Sequence, residues 1–117
     1  MSPIALVLVL FVGLLHTGFL ILECFFWTKP LGLRIFRLTP ETAAATRVMA
    51  LNQGLYNGFL GAGLFWAALA GDPALANFFL ACVAIAGVVG AVTASKNIIF
   101  IQALPAALGL LFTSGLL

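Results

Sequence analysis

Residues 29–47 read KPLGLRIFRLTPETAAATR and hold Lys29, Arg34, Arg37 and Arg47, four of the 5 basic residues in the chain. The remaining one, Lys96, stands alone between two apolar runs. Cytoplasmic loops of membrane proteins retain Lys and Arg, so residues 29–47 and Lys96 are expected on the cytoplasmic side with both termini outside.

Outside these two places the chain is apolar enough to enter a bilayer. Of its 117 residues, 64% are hydrophobic and 7% charged, and the mean hydropathy is +1.26. A soluble domain of this size has too little interior to hide so much apolar surface. Four runs approach the ~20 residues that span a hydrocarbon core and predict helices over about 3–27, 40–70, 73–93 and 97–117. The expected fold is all-α: an integral membrane four-helix bundle, N-out and C-out, with residues 1–117 forming one transmembrane domain. The net charge of +2 is too small and too local to engage nucleic acid. It fits the positive-inside signal and an attraction to membrane lipids.

The first run lacks a basic leader and is followed by Trp27 and a basic loop instead of a small-residue cleavage site, so it reads as a retained span. Cys24 and Cys82 are expected unpaired. On antiparallel spans their depths differ by roughly 15 Å at ~1.5 Å per residue, beyond disulfide reach.

Local signals place the helix ends. Thr39-Pro40-Glu41 offers a hydroxyl cap, a proline at the first helical position and an acid at the positive end of the dipole. The second helix is therefore expected to start before the membrane, with its first two turns in the cytosol. Gly71-Asp72-Pro73 closes it and opens the third in a tight external hairpin. Between the first two spans, Leu33, Ile35, Phe36 and Leu38 alternate with basic residues, which suits either a segment lying on headgroups or a short loop. Small residues recur every four positions: Gly54, Gly58 and Ala62, then Ala86 with Gly90 and Gly87 with Ala91. Such spacing lets helices approach closely in lipid, within the bundle or in a homo-oligomer.

Polar groups in hydrocarbon are costly and need either partners or a task. His16 and Glu23 share a face of the first helix, two turns apart. Asn52, Gln53, Tyr56 and Asn57 cover about 140° of the second at ~100° per residue, and Gln102 follows Lys96 on the fourth. With the orientation above, His16 is level with Asn57, and Glu23 lies roughly 10 Å nearer the cytoplasm, level with Asn52 and Gln53. No comparable group is seen in the outer half of any helix. A polar pocket opening to the cytoplasmic leaflet is therefore expected, with a register-fixing hydrogen-bond network as the alternative.

One His and one intramembrane Glu make a poor metal site, so no metal is expected. Nothing marks a second haem ligand, and no cofactor is expected. Acid/base work by His16 and Glu23 on an apolar substrate remains, with Asn52, Gln53, Tyr56, Asn57, Lys96 and Gln102 binding the ligand.

Taken together, Leu22-Glu23 with Trp27-Thr28, the run Leu38-Thr39-Pro40-Glu41, Asn52-Gln53-Gly54-Leu55-Tyr56-Asn57-Gly58 and Gln102-Ala103-Leu104-Pro105-Ala106 carry a family likeness. The chain resembles a family of small bacterial inner-membrane proteins catalogued as domain of unknown function thirteen-oh-four. That resemblance implies a four-span protein of about this length in the inner membrane and implies no activity.

The expected function is to bind a lipid-like, apolar small molecule, and whether the site also converts it by acid/base chemistry stays open. The alternatives are an oligomeric small-solute transporter or channel and a non-enzymatic accessory protein. Transport needs a polar path through the outer half as well. The orientation is testable: reporters fused at Leu117 and within residues 30–38 should give opposite signals, and cytoplasmic activity from the C-terminal fusion would overturn it.

Overall fold

The computed structural model describes residues 1–116, and its regular structure is helical. Helix α1 is Pro3–Phe25, α2 Pro30–Phe36, α3 Pro40–Ala45, α4 Arg47–Ala70 and α5 Pro73–Thr93. A π-helical segment, Ile99–Ala103, then leads into α6, Leu104–Thr113. Among the described residues α1 and α5 are long and apolar enough to cross a membrane.

Proline sets most of the starts. Pro3, Pro30, Pro40 and Pro73 each occupy the first position of a helix, where the missing N–H would have had no partner and the fixed φ is already helical. Ser2, Thr39 and Asp72 cap three of these helices, accepting from the N–H groups of Ala5, Thr42 and Leu75 at 3.1 Å each. Gly71 closes α4 with φ 60°, the left-handed geometry that glycine adopts without a Cβ clash.

Two of the expected helices are divided. The helix predicted over 40–70 is interrupted at Thr46, whose backbone (φ −106°, ψ 9°) leaves the helical region. Its hydroxyl donates to the Thr42 carbonyl at 2.7 Å and accepts from the Trp27 indole at 3.1 Å. Threonine bonding back onto its own helix in this way bends it. The helix predicted over 97–117 starts at Ile99 and widens into the π segment before Pro105. Proline has no N–H and its ring crowds the carbonyl four residues back, so the preceding turn opens and the Leu104 N–H reaches Ile99 instead. α6 ends at Thr113, and Leu117 lies outside the described residues. The basic connector forms α2 in place of a loop.

Helices α1 and α4 run antiparallel with glycine at the seam. A Cβ built on Gly54 would meet the Cys24 sulfur at 2.5 Å, one on Gly58 would strike Leu20, and one on Gly61 would meet Thr17 Oγ1 at 3.0 Å and the Gly13 carbonyl at 3.1 Å. The small-residue stripe on α4 is thus used inside the bundle. Gly61 takes the place expected for Ala62, which is exposed. On α5, Gly87 faces Ala103 and Gly90 faces Ile98. This pairing brings Arg47, Lys96 and the α2 cations to one end, the basic end. Residues 71–73 mark the other, the hairpin end.

The interior is built from small residues and the exterior from large ones. Ala5, Val9, Val12, Leu64, Ala67, Ala76, Leu80, Val83 and Ala106 are fully buried, whereas Leu69 and Val92 are 90% and 81% exposed. Phe11, Leu14, Phe59, Trp66, Phe78 and Ile85 also point outward. Cys24 and Cys82 are free thiols.

The glycine seam gives a sharp test. Gly87→Ala would place a Cβ 2.8 Å from the Ala103 nitrogen and should cost about 1–3 kcal/mol of stability. Gly18→Ala, with nothing within 4 Å, should gain up to about 1 kcal/mol from helix propensity. Thermal unfolding in detergent reads both, and equal effects would show that the seam is not tightly packed.

Candidate functional site

The last turns of α1 carry Glu23 toward α4, and the glycine seam sets what it meets. Glu23 Oε1 accepts from the Asn57 amide at 2.5 Å. This bridge forms part of the wall of an open cavity of about 720 Å³ at the basic end. Phe19 and Glu23 come from α1, Asn57 from α4, and Ile35, Phe36 and Arg37 from the end of α2. The opposite side is built by Ala94, Ser95, Asn97, Ile98, Ile101 and Gln102.

Two backbone irregularities shape this cavity. The π segment holds Gln102, whose Nε2 donates to the Val83 carbonyl of α5 at 3.2 Å. Arg37 closes α2 at φ 54°, and the next N–H, from Leu38, reaches back to the Leu33 carbonyl at 2.9 Å. Left-handed geometry at a non-glycine residue costs about 1–2 kcal/mol. Here it turns the chain back at the cavity and places Arg37 on its lining.

Of the residues expected to form a site, the structure gathers Glu23, Asn57 and Gln102 and disperses the others. Asn52, Gln53 and Tyr56 are exposed on α4 and do not line the cavity. Helix geometry explains this: at ~100° per residue Asn57 lies roughly 60° from the glycine seam, Gln53 about 100°, and Asn52 and Tyr56 about 160°, on the opposite face. Lys96 is exposed, and its neighbours Ser95 and Asn97 face the cavity instead. The expected depths also shift by about a turn. Glu23 meets Asn57, not Asn52 and Gln53, and Thr17, beside His16, is level with Gly61.

His16 is fully buried and does not line the cavity. Its Nδ1 lies 2.9 Å from the Val12 carbonyl, which can only accept, so Nδ1 carries the proton and Nε2 is a bare acceptor. Nε2 has no partner among the described residues. Phe19 packs edge-on to the imidazole at 5.3 Å and itself borders the cavity.

The expectation that the hairpin end is free of polar side chains is overturned. Asn77, one turn into α5, accepts from the buried Thr113 hydroxyl, which also reaches the Gly109 carbonyl at 3.0 Å. Asparagine on α5 within four residues of Pro73 was the available signal. Around the cavity, the polar lining residues that sequence reasoning missed are Arg37, Ser95 and Asn97. Their place follows from the α2 cap and the 94–98 turn, neither of which has a periodic signature. No group of three or more His, Cys, Asp or Glu side chains suited to a metal occurs among the described residues.

Residues 10–114 match the family described as protein of unknown function (DUF1304), and the chain belongs to that family. No curated protein and no solved structure matches it.

The geometry separates the polar residues by stability. Asn57→Leu strips Glu23 of its donor and should cost roughly 0.6–2 kcal/mol, whereas Gln53→Leu, on an exposed position, should cost nothing measurable. His16→Leu removes a bare buried acceptor, so stability should hold or rise by about 1 kcal/mol. Unfolding in detergent measures all three. A large loss from His16→Leu would mean that Nε2 has a bound partner.

Proposed function

We propose that this family member crosses the membrane four times, with both termini outside, and binds an amphiphilic, lipid-like small molecule in the cavity at its cytoplasmic end. The crossing elements are α1, α4, α5 and the π segment with α6. Several observations support the insertion. Large apolar side chains face outward and small ones inward, the reverse of a water-soluble bundle. The long axis of 47 Å is close to the ~40–45 Å of a bilayer with its headgroups. All basic residues collect at one end, as cytoplasmic retention of Lys and Arg demands.

The fourth crossing is the short one. Residues 99–113 span roughly 22 Å at ~1.5 Å per residue, less than the ~30 Å hydrocarbon core. At its start, Ala94, Ser95, Asn97 and Ile98, with Arg37, border the cavity.

One observation carries the binding reading: the Glu23–Asn57 bridge borders a cavity whose other walls include Phe19, Ile98 and Ile101. A volume of about 720 Å³ falls within the ~300–1,000 Å³ of small-molecule sites. A lining that mixes hydrogen-bonding groups with apolar ones suits a molecule with a hydrogen-bonding head and a hydrocarbon body. His16 and Glu23 do not act as a pair in this reading, because the two lie roughly 10 Å apart along α1 and Glu23 alone of the two lines the cavity.

The test is native mass spectrometry with lipid analysis of the purified chain. The wild type should retain a non-bilayer amphiphile. Glu23→Gln should fold and retain about tenfold less, the value of one hydrogen bond to a charged group. Equal retention, or no such molecule in the wild type, would overturn the reading.

A further inference from the structure

A second cavity, of about 230 Å³, lies at the junction of α1 and α4. It is smaller than the ~300 Å³ at which small-molecule sites begin, so it suits a headgroup and not a whole ligand. Its polar wall joins Thr28 and Lys29, just after α1, to Arg47 at the start of α4. The Trp27 indole fixes this junction by donating to Thr46 at 3.1 Å and packing on Phe36 at 4.8 Å between ring centres. The loop carrying Lys29 is thereby held against the turn carrying Arg47.

Of the 3 acidic residues in the sequence, Asp72 caps α5 at the far end and Glu41 opens α3, while Glu23 lines the same cavity and receives the Asn57 amide, so two cations face one carboxylate there. Phe25 and Leu51, at the edge of the cavity, are 67% and 53% exposed and continue the apolar outer surface. Two cations and a hydroxyl beside an outward apolar strip match a phosphate with acyl chains attached.

We propose that this cavity binds the phosphate of an anionic phospholipid, with Lys29 and Arg47 on the phosphate, Thr28 donating to it, and the acyl chains lying over Phe25 and Leu51. Arg47 can grip two phosphate oxygens at once, whereas Lys29 acts as a point charge. Glu23 also lines this cavity, with its carboxylate engaged by the Asn57 amide. The proposal rests on the membrane insertion argued above and is independent of any occupant of the larger cavity.

The test titrates the purified full-length chain in detergent with phosphatidylglycerol or phosphatidylcholine and counts bound lipid by native mass spectrometry. The wild type should prefer the anionic lipid by roughly tenfold or more, from about 1 kcal/mol per cation. Lys29→Gln with Arg47→Gln should abolish the preference, and Lys29→Gln alone, at an exposed position, should reduce it by about fivefold. Lys96→Gln removes a charge outside the cavity and should leave it intact. Gln102→Leu, which alters the larger cavity alone, should also leave it intact, so loss of the amphiphile there leaves this proposal standing. An unchanged preference in both Lys29 variants, or displacement of the lipid by millimolar inorganic phosphate, would overturn it.

Discussion

The close approach of α1 and α4 over Gly54, Gly58 and Gly61 fixes the relative height of the two helices, and the polar geometry depends on that height. Three positions without side chains admit Cys24, Leu20 and Thr17 in turn, each about one turn further along. With the helices locked in that register, Glu23 has Asn57 opposite it and the carboxylate finds a donor in an otherwise apolar bundle. A slip of one turn would set Glu23 against Gly61, which has no side-chain donor, in one direction, and against Gln53, which lies about 100° round α4 from the seam, in the other. Packing and polar pairing therefore select the same register.

Features specified within one turn of helix were legible from the amino-acid order. The caps at Thr39 and Asp72, the hairpin at Gly71 and the extent of α5 each depend on three or four adjacent residues, and each is where those residues place it. Less of the candidate site was legible, because depth and angle had to be inferred without knowing the seam. Four neighbouring polar residues on α4 looked like one wall, yet the seam takes a direction that admits Asn57 and turns Asn52 and Tyr56 to the opposite face. His16 had the right composition for a reactive group and the wrong height. Its imidazole is enclosed by packing, with one nitrogen on the Val12 carbonyl.

Pro105 shows how a local rule acquires a distant effect. Its missing N–H opens the preceding turn, and the widened turn carries Gln102 to the Val83 carbonyl. The same segment brings Ala103 against Gly87, where a Cβ would collide with backbone. The irregular turn is thus held by close packing on one side and a hydrogen bond on the other. Proline in the Gln102–Ala106 run is legible from the sequence, but the direction in which the chain relieves the clash is set by α5.

Glu23 borders both cavities. Under the two proposals above, an occupant of one cavity that altered the charge or rotamer of this shared carboxylate would change the affinity of the other. Linkage is reciprocal, so the factor by which a headgroup in the smaller cavity alters affinity in the larger equals the factor in the opposite direction. If both proposals hold, the lipid composition of the membrane would act as an effector of the larger cavity through one side chain.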